Sequence, residues 1–255
     1  VYKNKNQIDR EEISKMFCKA LVEDDGPPKK FLENRPLSSD AINFWSVGYC
    51  PLDVLYPSPF MRERLIIPIK NLYGEIIAFA GRRLDESLQN VHKYFLEDYG
   101  EESGEKIFER WKKGKWINES YKKSNNLFGL FNNRKDILSN NYVILTEGYY
   151  DVITLWDYGV KTMVAISGTS FKESQLALIL RLCNRIVIMT DSDDAGIKAA
   201  EKISEKTKKY GIISKKILLP MGLDAEDYFR KNNTNNFLEQ FDNFLNSKDG
   251  ILELG

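Results

Sequence analysis

Four short apolar runs recur late in the chain: YVILT (142–146), TMVAI (162–166), RIVIMT (185–190) and KKILLP (215–220). The first three are each followed by a stretch of helical period: one to about Tyr158, then FKESQLALILRLC, then AGIKAAEKISEKTKKY. Strand–helix alternation brings each strand back parallel to the last through right-handed crossovers. The predicted class is therefore α/β. A parallel-sheet domain spans 141–230, an α+β subdomain precedes it over 1–140, and residues 231–255 form an Asn-rich, weakly helical tail.

Upstream, residues 7–22 carry a helical period with an acidic first turn, broken by Asp24-Asp25-Gly26-Pro27-Pro28. A second helix is expected over 29–34, and a third, capped by Ser38 or Ser39, through Trp45. RLIIPI (64–69) and EIIAFA (75–80) read as a hairpin turning at Gly74. Residues 85–126 are crowded with Lys, Glu, Asn, Tyr and Trp and show little apolar periodicity. They are expected to contain an exposed insertion over about 85–114, with a return to the core at LFGLF (127–131).

Composition removes several chemistries. The three cysteines, Cys18, Cys50 and Cys183, are odd in number and far apart, so neither a disulfide framework nor a zinc ribbon is supported, and a reducing cytoplasm fits. His92 is the only histidine, which leaves catalysis to carboxylates, lysines, arginines and hydroxyls. No run of about 18 apolar residues offers a membrane span. The opening residues, Val1–Arg10, are polar and carry no secretory signal. A first residue of Val rather than Met fits a fragment. Lys plus Arg balance Asp plus Glu at 37 each, which allows a basic stripe to face an acidic cluster.

The acids sit where an α/β fold places its ligands, at the carboxyl ends of the strands. Glu147 and Asp151 follow the first run, Asp191, Asp193 and Asp194 the third, and Asp224, Glu226 and Asp227 the fourth. Carboxylates converging on one edge repel unless neutralised, and a hard divalent cation is their natural partner. Such a site suits in-line phosphoryl chemistry. Each acid alone is more ordinarily a helix cap, and Asp194 is expected to cap the helix starting near Ala195.

Glu147-Gly148 after one strand and Asp191-Ser192-Asp193 after a later one resemble the two motifs of Toprim domains. The segments EGYYDVITLWDYGV, AISGTS and DSDDAGIKAAEK are similar to the versions found in DnaG-type primases. GLDAEDYF resembles the primase Gly-x-Asp-Pro-Asp segment, with Ala225 and Glu226 departing from it. FLENRPLSSDAINFWSVGYCP, RERLIIPIKNLYGEIIAFAGRRL and YKKSNNLFGLFN resemble upstream primase segments. KWINES resembles Lys-Tyr-Leu-Asn-Ser, with Trp116 and Ile117 substituted and Glu119 inserted. The resemblance covers roughly 30–230, in order.

That resemblance implies a metal-dependent polymerase making short RNA primers on single-stranded DNA, in a bacterial or phage-infected cytoplasm. It implies Glu147, Asp191 and Asp193 as catalytic residues, and Glu147, Asp151, Asp191, Asp193, Asp224 and Glu226 as the holders of Mg²⁺ or Mn²⁺. Arg35, Arg64, Arg82, Lys115 and Asn118 would bind nucleoside triphosphates and template. A zinc ribbon and a replicative helicase would be engaged through other segments or chains. The alternative is a Toprim nuclease, since the same cluster can activate water; GRRL and KWIN favour polymerisation. A topoisomerase would need a separate tyrosine-bearing domain, and a Rossmann fold would need a glycine-rich turn that is missing here. A non-catalytic scaffold is disfavoured by the retained acids.

Overall fold

The computed structural model describes residues 9–54, 58–168, 170–232 and 234–254. The expected helix start at 7–8 and Thr169 of the AISGTS segment lie outside them. The chain divides into two compact units. The first gathers the described residues up to Asn71 together with Glu75–Tyr121, and the second gathers Leu72–Gly74 with the described residues from Lys122 on.

In the first unit, α1 (Arg10–Glu23) starts where Asp9 accepts the backbone N–H groups of Glu11 and Glu12. Helix α2 (Pro27–Asn34) opens on Pro27, and α3 (Ser39–Trp45) is capped by Ser38, which accepts the Ala41 N–H at 3.1 Å. A four-stranded antiparallel sheet follows in the order β1-β2-β3-β4: β1 (Gly48–Cys50), β2 (Arg64–Lys70), β3 (Ile76–Arg83) and β4 (Trp116–Asn118). Phe17 of α1 packs edge-on against Phe79 of β3.

The expected insertion is a helical hairpin, α4 (Leu88–Tyr99) and α5 (Glu101–Lys113), with a core of Val91, Phe95, Phe108 and Trp111. Gly100, at φ +77°, turns the chain between the two helices. A Cβ on Gly104 would lie 2.3 Å from the Phe95 carbonyl oxygen, so glycine sets how closely they approach.

The second unit carries α6 (Leu130–Asn140), then β5 (Tyr142–Thr146), α7 (Tyr149–Asp157), β6 (Met163–Ala165), α8 (Glu173–Ile179), β7 (Arg185–Ile188), α9 (Asp194–Lys209), β8 (Lys215–Leu218), α10 (Ala225–Lys231), α11 (Thr234–Asn246) and β9 (Ile251–Glu253). All pairings in its sheet are parallel, in the order β6-β5-β7-β8-β9. Leu130 and Ile137 of α6 are buried in the same cluster as Val143, Leu145 and Ile188, so the unit begins before the expected boundary near 140. The tail also belongs to it: β9 pairs with β8, and buried Phe241 packs on Tyr142 at 5.5 Å. None of the described helices is long and apolar enough to cross a membrane.

Candidate active site

The strand order reverses at β5. The chain leaves β5 for β6 on one side and returns to β7 on the other, so β5 and β7 flank the topological switch point where open α/β sheets take ligands. Glu147 directly follows β5, and Asp191 follows Thr190 beyond β7. Both are half-buried. Burial, then the charges of Asp191 and Asp193, raise the Glu147 carboxyl above the usual carboxylate range; a hydrogen bond from the Asp191 backbone opposes this. Glu147 Oε1 is buried and has no hydrogen-bond partner among the described residues.

Gly148 caps α7, and its N–H donates to Asp151 Oδ2 at 3.1 Å. A Cβ there would lie 2.6 Å from that same oxygen, so glycine is what lets Asp151 turn back onto the backbone. Asp151 is buried and its carboxyl is pushed up to about 8, by burial first and then by the charges of Asp224, Asp191 and Glu226. Ligand oxygens of Asp151, Asp224 and Glu226 all lie within 4.8 Å of one another. Asp224 caps α10 by accepting the Asp227 N–H at 2.7 Å, and Glu226 accepts Arg230 Nε at 2.9 Å. Arg230 thus meets a trio of carboxylates of which two, Asp151 and Glu226, are buried. The all-oxygen donor set, the raised carboxyls and the unpartnered Glu147 oxygen fit a hard divalent ion.

The six predicted acids form two groups. Asp151, Asp224 and Glu226 converge within one ion's reach. Glu147, Asp191 and Asp193 are tied electrostatically, and Asp191 acts on both Glu147 and Asp151. Asp193, not Asp194, caps α9, accepting the Gly196 N–H at 2.7 Å; Asp194 is the first helical residue. A Cβ on Gly196 would fall 2.2 Å from the Asp191 carbonyl oxygen, so this glycine permits the helix to abut the acidic loop. The sequence reading missed Ser192. Its hydroxyl donates to the Leu223 carbonyl at 3.1 Å and accepts the Leu223 N–H at 3.2 Å, joining the loop of Asp191 to that of Asp224.

In the first unit, Arg35, Arg82 and Lys115 line one pocket of about 240 Å³ with Phe31, Asn34, Arg83, Asp85 and Glu86. Arg82 is buried, its guanidinium carbon 5.2 Å from the Phe31 ring centre and 5.6 Å from that of Trp116. Asn118 pairs with Ala80 in the sheet and is outside that lining. Arg64 is placed differently. It is fully buried, and its guanidinium donates to the carbonyls of Phe60 (2.7 Å), Gly114 (3.0 Å) and Trp111 (2.6 Å), fixing the helical hairpin to the sheet. Inserted Glu119 is structural too: Oε2 accepts Arg10 at 2.6 Å and the Phe79 N–H at 2.8 Å.

Residues 144–229 match the family model described as Toprim-like. The second unit thus carries a Toprim-like segment, which follows the α+β unit in the sequence. The chain is 30% identical over 185 residues to a DNA primase of Aquifex aeolicus, covering 71% of this chain and 32% of that protein. It therefore spans about a third of that relative's length. A DnaG primase catalytic domain solved bound to single-stranded DNA superposes with a TM-score of 0.73 at 24% identity, covering 91% of this chain and 76% of that one. The zinc-binding and RNA polymerase domains of the Aquifex aeolicus primase give 0.72 at 22% identity, covering 94% and 62%. The chain resembles the DnaG-type DNA primases, and its fold is that of their catalytic core.

Proposed function

We propose that this chain is the polymerising core of a DNA primase, joining ribonucleotides into short primers on single-stranded DNA. The observation that carries the reading is the gathering of the acids at the switch point of a Toprim sheet in a primase-like fold. In the reaction a primer 3′-hydroxyl attacks the α-phosphate of an incoming nucleoside triphosphate, a phosphodiester forms, and pyrophosphate leaves. Asp151, Asp224 and Glu226, with Asp191 and Asp193 beside them, would hold Mg²⁺ or Mn²⁺, which would supply Lewis acidity and offset the repulsion among the acids. Glu147, whose Oε1 is buried without a hydrogen-bond partner among the described residues, takes the proton of the attacking hydroxyl. Arg35, Arg82 and Lys115 bind the triphosphate, the two arginines offering bidentate forks. Asn118 contributes to template or nucleotide contact from the β4 edge. Zinc-ribbon and helicase contacts fall to other segments or chains, and the setting is a bacterial or phage-infected cytoplasm.

The test is incubation with mixed-sequence single-stranded DNA, labelled ribonucleoside triphosphates and Mg²⁺ or Mn²⁺, beside Glu147→Gln and Asp191→Asn. Short RNA made by the wild type and lost in both variants is the expected result. Degraded template without RNA product, lost in the same variants, would establish a nuclease and end the assignment of Arg82 and Lys115.

A further inference from the structure

Two grooves of the second unit adjoin the segment that follows β6. The larger, about 490 Å³, runs from Glu147 along α9 over Ile166, Phe171 and Ile203, and is bordered by Lys202, Lys206 and Lys209. The smaller, about 180 Å³, is bordered by Lys123 and Lys172. Ile166, Gly168 and Ser170 line both, so the two meet at this segment. The walls are held in place. Gln175, 1% exposed, donates through Nε2 to the carbonyls of Lys123 (3.2 Å), Asn126 (2.9 Å) and Ile166 (3.2 Å). Lys206 Nζ donates to the Phe171 carbonyl at 2.6 Å.

The charge is one-sided. The two grooves carry five lysines against two carboxylates, Glu205 and Glu147 itself. On the other flank of α9, a groove of about 520 Å³ carries Asp191, Glu201 and Glu253 against a single lysine, Lys216. A polyanion reaching Glu147 is therefore accepted along one flank of α9 and repelled along the other. The apolar floor suits the sugar and base edges that an unpaired strand exposes.

We propose that this lysine-bordered track holds the sugar–phosphate backbone of a single polynucleotide strand as it passes Glu147. The proposal rests on the polymerising reading but involves residues outside the acids and the arginine pocket. The test is anisotropy of a fluorescent oligothymidylate titrated with the full chain across a salt series, comparing wild type with a Lys172→Ser, Lys202→Ser, Lys209→Ser triple variant. All three lysines are exposed, so their replacement leaves the core intact. Each lost phosphate contact lowers the slope of log affinity against log salt by about 0.7 for single strands, so the triple variant loses about 2. Between about 50 and about 200 mM salt, the affinity change shrinks by roughly fifteen- to twenty-fold. The corresponding triple Lys→Arg variant keeps the wild-type slope. A control, Lys19→Ser, Lys93→Ser, Lys106→Ser, removes equal charge from exposed lysines paired with Glu23, Glu97 and Glu102 and leaves the slope unchanged. An unaltered slope in the test variant, or an equal loss in the control, overturns the proposal. Primer synthesis is read separately: wild-type protein that shows the slope difference but makes no RNA would overturn the polymerase reading and leave the track standing.

Discussion

Replacing Asp151 by Asn should make the metal-free protein more stable and less able to work. In the fold the Asp151 carboxyl sits at about 8 against 3.8 for the unperturbed group, because it is buried among Asp224, Asp191 and Glu226. A carboxyl raised by folding favours the protonated form. Its stability contribution is whole below the unfolded value and is lost progressively as pH climbs toward the folded one. The loss is about 1.4 kcal/mol per pH unit, or roughly 4 kcal/mol between pH 3.8 and pH 7. Asn keeps the oxygen that accepts the Gly148 N–H but cannot ionise. In EDTA at pH 7, Asp151→Asn should therefore gain roughly 2 to 4 kcal/mol, the lower figure applying where the acids relax apart. The assay is urea unfolding followed by circular dichroism at about pH 5, 7 and 9, with and without Mg²⁺. Wild type should weaken from pH 5 to pH 8 and regain stability on adding Mg²⁺; the variant should do neither and should make less primer. A variant no more stable than wild type at pH 7, or a wild type flat across that range, would refute the reasoning.

Other substitutions separate holding from reacting. Gly148→Ala forces a Cβ to 2.6 Å from Asp151 Oδ2, so primer synthesis should fall by about 100-fold or more while Mg²⁺ loses its stabilising effect on thermal melting. Arg82→Lys removes a planar guanidinium that stands within about 6 Å of the Phe31 and Trp116 ring centres, and KM for the nucleotide should rise about five- to thirty-fold with the melting temperature little changed. Arg64→Met leaves the carbonyls of Phe60, Gly114 and Trp111 without their donor. It should cost about 3 kcal/mol or more in urea unfolding, with KM unchanged for the fraction that folds.

The strands bearing the acids were legible because short apolar runs alternate with helical stretches, as a parallel sheet requires, and YVILT became β5 residue for residue. Ser38 was legible as a cap for the same local reason. Harder were features decided by tertiary contact. Arg64 reads as a charge at a strand end, and only the arrival of Trp111, 47 positions later, makes it a buried clamp. The α4–α5 hairpin hides its period, since Val91 and Phe95 on one helix and Phe108 and Trp111 on the other stand among many charged neighbours. Three acids in the run Asp191-Ser192-Asp193-Asp194 offer competing caps, and backbone geometry chose Asp193. Strand β9 has three residues, too few for alternation to register, and exists because β8 presents an open edge.

Asp191 lies in the electrostatic surroundings of both acid groups, and Ser192 beside it ties its loop to that of Asp224. Charge arriving at one group is consequently felt at the other, and by thermodynamic reciprocity the influence runs equally in both directions. On the proposed reading, a cation on Asp151, Asp224 and Glu226 would offset the Asp191 charge that helps raise Glu147 and so lower its proton affinity, and a proton leaving Glu147 would tighten the grip on the cation. Ion uptake and proton acceptance would then be one linked equilibrium, and the pH at which the site becomes competent should shift with the concentration of free cation.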